Sequence, residues 1–183
     1  MFSLGFKLKG GVYTMPIKNS RLTICDPFLL NENTVNLAVA DFLISKGFTS
    51  VEHLLGTAHG VDVIGKKNDT TIYVESKGSR PNIHDDDIVF DTGQIKTHAY
   101  MQVCKLMEYY NSGNQNKILV LANPDIPRIR TRVEKVRKSI EVLEFTQFWV
   151  QEDLTVKVEY PKASRKILKK LNLIDYRKDL TFN

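Results

Sequence analysis

The stretch GVDVIGKKNDTTIYVESKG, residues 60–78, decides how this chain is read. Side chains along an extended strand alternate between two faces. Residues 60–65 read as one strand, with Val61 and Val63 pointing one way and Asp62 the other. Residues 70–77 read as a second strand, with Ile72, Val74 and Ser76 on one face and Tyr73, Glu75 and Lys77 on the other. Residues 66–69 supply turn formers between them, which predicts a hairpin. Two adjacent strands thus offer two carboxylates and an ammonium to one side of a sheet. Hard oxygen ligands of this type suit Mg²⁺ or Mn²⁺, which keep several waters and also take phosphate oxygens. A lysine beside such an ion can orient or deprotonate an attacking water, and it can stabilise negative charge building on phosphorus. The plain alternative is an edge hairpin whose charged face is simply solvated.

Outward from the hairpin, apolar residues recur with helical spacing. Residues 33–46 place Val35, Ala38, Val39, Phe42 and Leu43 on one helix face, and Gly47 ends it. Residues 50–55 form a strand before the hairpin, and the polar run 80–87 is a loop. Asp91, Thr92 and Gln94 open a second helix with Ile95, Ala99, Val103, Leu106 and Tyr110 on a stripe. Residues 117–122, KILVLA, have strand length and end at Asn123 and Pro124. A helix after Pro127 turns Ile129, Val133, Val136, Ile140 and Leu143 inward, with Arg128, Arg130, Arg132, Lys135, Arg137 and Lys138 largely outward. Residues 145–151 and 155–160 are two more strands, and 163–171 a final basic helix. Mixed order of this kind predicts an α/β sandwich of three layers, a central mixed sheet flanked by helices.

Composition agrees with one domain. The 183 residues are 42% hydrophobic and 26% charged, ordinary values for a folded chain. Net charge is 26 − 21 = +5. From Arg128 onward 14 basic residues meet 8 acidic ones, leaving 12 − 13 = −1 for the rest. Basic charge gathered at one end suggests a polyanion partner, although a solvated surface explains it too. Residues 1–27 read as an N-terminal extension, in part disordered, with Met15 a second candidate start. Residues 28–183 read as the single domain. Cys25 and Cys104 make neither a ligand cluster nor a disulfide framework, and no run is long enough to span a bilayer, so a cytoplasmic protein without membrane contact is expected.

A strand bearing Asp, a hairpin, then Glu-x-Lys closing an apolar strand resembles the PD-(D/E)xK nuclease superfamily, which includes restriction endonucleases, archaeal Holliday-junction resolvases and recombination exonucleases. The resemblance covers residues 31–124, about half the chain, including the order helix, three strands, helix, strand. It implies a restriction-endonuclease-like fold and a Mg²⁺-dependent (or Mn²⁺-dependent) deoxyribonuclease, with DNA as partner and a homodimer as a common arrangement among relatives. Asp62 and Glu75 become metal ligands, the Ser76 backbone carbonyl a further ligand, and Lys77 the catalytic lysine. Glu32 matches an acidic position that helps bind metal through water; near a helix N-terminus it is also explained by the dipole. Gln94 matches a glutamine of some subfamilies, yet Asp91 and Gln94 also have capping-box spacing. Two departures stand out: Val61 replaces the proline before Asp62, and His98 replaces the tyrosine of Gln-x-x-x-Tyr. A non-catalytic nucleic-acid-binding module with the same fold, or a protein-interaction domain, would also use such a sequence.

For the nucleic acid itself, Arg80 lies just past the Glu-x-Lys strand, and Arg128, Arg130 and Arg132 offer a phosphate track. The consecutive Asp85, Asp86 and Asp87 read as a solvated loop, and His59 as an exposed or structural residue.

Overall fold

In the computed structural model, residues 15–56, 59–112, 116–175 and 180–181 are described. In chain order the elements begin with β1 (Ile17–Lys18), α1 (Glu32–Ser45), β2 (Thr49–His53), β3 (Val63–Lys67), β4 (Thr70–Ser76) and β5 (Ile88–Val89). They continue with α2 (Thr92–Asn111), β6 (Lys117–Pro124), α3 (Pro127–Glu134) and α4 (Arg137–Val142). The chain closes through β7 (Thr146–Val150), β8 (Val156–Tyr160), α5 (Arg165–Lys170) and β9 (Leu180–Thr181).

The hairpin forms as its alternation requires. Lys67 faces Thr70 across a turn of Asn68 and Asp69, and Val63 faces Val74 at the other end. The central sheet has the order β2-β3-β4-β6-β7-β8-β9. It is mixed: β4, β6 and β7 run parallel, whereas β3 and β8 run antiparallel to their inner neighbours. A separate ribbon pairs β1 with β5.

Alternation sends two sets of side chains to two cores. Ile72 and Val74 of β4, Ile118 and Val120 of β6, and Phe148 of β7 pack with Val35, Val39 and Leu43 of α1 and Leu168 of α5. From the opposite face Leu119, Leu121 and Trp149 pack with Ile95, Val103 and Leu106 of α2, Ile129 and Val133 of α3, and Ile140 of α4. The sheet therefore lies between two helical layers, and each fully buried aliphatic side chain contributes about 1.5–3 kcal/mol relative to exposure. Lys67 fastens the far end: its ammonium donates to the carbonyls of Lys46 and, at 2.8 Å, Leu171, closing the ends of α1 and α5.

Several elements differ from the sequence expectation. Strand pairing starts at Val63, so Asp62 lies just before β3. The helix expected after Pro127 is two, α3 and α4, because Ile129, Thr131, Val133 and Val136 make a β-branched stretch of weak helix propensity; Val136 sits at φ −115°, outside helical geometry. Tyr110 is exposed, and Gln102 takes a buried place on α2 instead. Strands β1, β5 and β9 are two residues each, too short to show a period. Residues 1–14 of the expected extension lie outside the described residues, whereas Ile17 and Lys18 pair with Val89 and Ile88. No described helix is long and apolar enough to cross a membrane.

Candidate active site

The parallel strands β4 and β6 finish at one edge of the sheet, and β3 begins there. Open α/β sheets bind ligands at such carboxyl ends. Asp62 has the opposite phase to the buried Val63, and Glu75 and Lys77 the opposite phase to Val74, so all three lie on the α2 side. Backbone bonds fix them. The Ser76 N–H donates to Asp62 Oδ2 at 2.7 Å, and the Lys77 N–H donates to the Ala122 carbonyl at 3.0 Å. Because N–H and C=O of a strand residue point to the same edge, the Ser76 carbonyl is directed to the Asp62 side as well.

Glu32 reaches this group from the other helical layer. Asn31 caps α1, accepting the Thr34 N–H at 2.8 Å, which sets Glu32 at the first helical position. That end of α1 is clamped to the chain leaving β4: the Ser79 N–H donates to the Leu30 carbonyl at 2.8 Å, and Asn31 bridges Arg80. Gly78 makes the approach feasible. A Cβ there would lie 2.6 Å from the Glu32 nitrogen and 2.7 Å from the Asn31 carbonyl carbon, closer than atoms can pack.

Lys77 Nζ sits among three carboxylates, 2.9 Å from Glu32 Oε2, 3.5 Å from Glu75 Oε1 and 3.8 Å from Asp62 Oδ2. Burial pushes Glu75 up from 4.5 to about 7, and the Asp62 charge pushes the same way. Asp62 is raised too, first by burial, with Lys77 and the Ser76 N–H opposing. Burial would lower Lys77, but Asp62, Glu32 and Glu75 together outweigh it and hold the ammonium above its ordinary value. Three acids against one lysine leave the pocket two charges negative when all are ionised, and Glu75 Oε2 is buried without a hydrogen-bond partner. These are conditions a divalent cation would relieve.

Among the described residues, no group of three or more His, Cys, Asp or Glu side chains is placed to hold a metal ion by itself. Magnesium does not require one, since it is held by one or two carboxylates and otherwise by water and phosphate. Asp62, Glu75 and the Ser76 carbonyl fit that pattern, with Glu32 reaching the group through Lys77.

The remaining expected residues are placed differently. Gln94 completes a capping box: its Oε1 accepts the Asp91 N–H at 2.9 Å while Asp91 accepts the Gln94 N–H at 2.8 Å. Arg80 bonds the exposed Asp86 at 2.9 Å and the His84 carbonyl at 3.2 Å. Arg128 grips the buried Asp26 at 2.5 and 2.6 Å and the Phe90 carbonyl at 2.6 Å. Arg130 pairs with Asp125 and, at 3.2 Å, Glu159, and lies 4.2 Å over the Trp149 ring. Arg132, on the same helix, is half-buried. So Arg128 and Arg130, expected outward, are engaged, Arg128 by a carboxylate distant in sequence and Arg130 by the nearby Asp125 and by Glu159 on β8.

Other residues beside the site carry no motif letter. Gln102 Nε2 donates to the Glu75 carbonyl at 2.6 Å and the Ala122 carbonyl at 3.2 Å, tying the ends of β4 and β6 together beside Ser76. Asn123 Nδ2 donates to the Lys77 carbonyl at 3.4 Å. His98 packs edge-on against Phe90 at 4.4 Å, and burial, aided by the Lys77 charge, lowers its pKa. The signal that could have found His98 and Gln102 is their spacing from Gln94, four and eight residues on, along one face of α2. Compared with known proteins, the chain matches no family model, no curated protein and no solved structure.

Proposed function

We propose that the chain is a metal-dependent nuclease of the PD-(D/E)xK type, hydrolysing phosphodiester bonds in DNA. The observation that carries the reading is the convergence of Glu32, Asp62 and Glu75 on the Lys77 ammonium, at 2.9–3.8 Å, at the carboxyl edge of a mixed sheet. A hairpin with a merely solvated face does not bury its acids to the extent of Asp62 and Glu75, nor bring a helix terminus from the opposite layer onto its lysine.

Asp62, Glu75 and the Ser76 carbonyl would hold a Mg²⁺ ion, which would supply positive charge to the phosphate and lower the pKa of water. Lys77 stays protonated in this setting, so its role is to donate hydrogen bonds and oppose negative charge on the phosphate oxygens during attack. Glu32 anchors the ammonium so that it does not swing away. Gln102 and the Ala122 carbonyl fix the backbone between Glu75 and Lys77, which sets the separation of the carboxylate and the ammonium.

The test is cleavage of labelled linear, circular, single-stranded and branched DNA in Mg²⁺ or Mn²⁺, with Asp62→Ala and Lys77→Ala beside the wild type and folding checked by circular dichroism. Cutting by the wild type that both variants lose is the expected result. Folded wild type that cuts none of these DNAs but binds them independently of metal would replace the enzyme with a binding module.

A further inference from the structure

The face of α2 over β4 carries more than Gln102. His98, Gln102, Lys105 and Tyr109 follow one another by four, three and four residues, which places them on a single helical stripe. The lower part of that stripe borders the acids. The Tyr109 ring lies 5.9 Å from that of Tyr73, which shares its face of β4 with Glu75 two residues on. The Tyr109 hydroxyl donates to the Gly60 carbonyl at 3.3 Å, two residues before Asp62. Lys105 Nζ stands 5.4 Å from the Tyr109 ring centroid, and its charge acts on both Asp62 and Glu75.

The site as described lacks a cation for any phosphate beyond the one cleaved. Lys77 is surrounded by three carboxylates, and a divalent ion would do no more than balance them. Arg128 is held by the buried Asp26, and Arg80 lies against the loop containing His84 and Asp86. Lys105 differs. Its partner Glu108, at 2.8 Å, is solvent-exposed, and such i,i+3 pairs are weak and readily exchanged. The aromatic face beneath its stem limits where the ammonium can go.

We propose that Lys105, seated on the Tyr109 ring, receives a substrate phosphate next to the one cleaved, while Tyr73 and Tyr109 form the wall against which the adjoining nucleotide packs. The inference rests on the nuclease reading. A point charge with three N–H donors beside a flat apolar surface recognises a nucleic-acid backbone rather than a base sequence.

Binding of a fluorescein-labelled oligonucleotide, titrated across KCl concentrations in EDTA, and cleavage kinetics in Mg²⁺ test it together. Lys105→Met should raise KM about 5–10-fold with kcat within about twofold, the pattern of lost uniform binding. Its salt slope should fall by about 0.7–0.9, the release of one counterion. Lys105→Arg should restore both, and Tyr109→Leu, which removes the ring under the ammonium, should follow Lys105→Met. If the wild type cuts, Asp62→Ala does not, and folded Lys105→Met keeps the wild-type KM and slope, the inference fails while the nuclease stands. A wild type that neither binds nor cuts overturns both.

Discussion

Replacing Glu75 by Gln should make the metal-free protein more stable at pH 8, although it removes a residue placed at the centre of the site. Burial and the neighbouring Asp62 raise the Glu75 carboxyl from its ordinary 4.5 to about 7. Between those values the folded protein keeps a proton that the unfolded chain has released, so stability declines as pH rises from about 4.5 to about 7 and levels off above. At about 1.4 kcal/mol per pH unit, the span corresponds to roughly 3 kcal/mol. Asp62 shares the repulsion, so removing one charge should recover about 2–3 kcal/mol, or about 5–10 °C in Tm for a domain of this size. The assay is thermal melting of wild type and Glu75→Gln in EDTA from pH 4.5 to 8.5. The curves should nearly coincide at the acid end and separate as pH rises, the variant staying flatter. Saturating Mg²⁺ should then stabilise the wild type more at pH 8 than at pH 5, because the ion competes with the proton. Parallel pH profiles, or a variant less stable than wild type at pH 8, would refute the claim that this carboxylate is held ionised at a cost.

Four further outcomes follow from the packing. Gly78→Ala places a Cβ against the Glu32 and Asn31 backbone, so it should cost about 1–3 kcal/mol or more and weaken cleavage by parting Glu32 from Lys77, read by urea melts and DNA cutting. Lys67→Met strips the terminal carbonyls of α1 and α5 of their donor at the opposite end of the sheet; a loss of about 1–3 kcal/mol with unchanged cleavage is expected. Gln102→Leu removes the side-chain donor shared by the Glu75 and Ala122 carbonyls, and should lower stability by about 1–3 kcal/mol and kcat together. Glu159→Ala leaves Arg130 and Arg137 without a shared partner, though Asp125 and Glu134 remain to them, and should cost about 1–3 kcal/mol, with altered emission from the single tryptophan, Trp149, whose Nε1 donates to Glu159 at 2.7 Å.

The hairpin was legible because its information is local: alternation fixes which side chains share a face, and Asp62, Glu75 and Lys77 do share one. The role of Gly78 was not, since nothing in its neighbours shows that α1 passes 2.6 Å from where its Cβ would be. The carboxylate partner of Arg128 was not legible for the same reason. Charge pattern marks Arg128 as outward, but Asp26 lies 102 residues earlier, and only the folded chain brings a buried carboxylate to it. Gln94 was ambiguous on spacing, and the fold makes it a cap. Periodicity thus predicts which face a residue takes, while the partner met on that face depends on contacts between distant segments.

Two buried glutamates show why the Glu75 pocket is read as functional. Glu159 is as deeply enclosed as Glu75, with side-chain exposures of 8% and 11%. Around Glu159 the fold supplies two guanidiniums, Arg130 at 3.2 Å and Arg137 at 2.8 Å, and the Trp149 N–H. Every feature there compensates the charge, as a carboxylate serving only stability requires. Around Glu75 it supplies one ammonium, divided among three acids, and leaves Oε2 without a partner. The same chain therefore compensates one buried carboxylate fully and leaves another in a negative pocket, in spite of the stability this forgoes. On the proposed reading a cation from outside the chain would offset this imbalance, and the gain in stability from Glu75→Gln without metal, set against the loss of metal response, measures it directly.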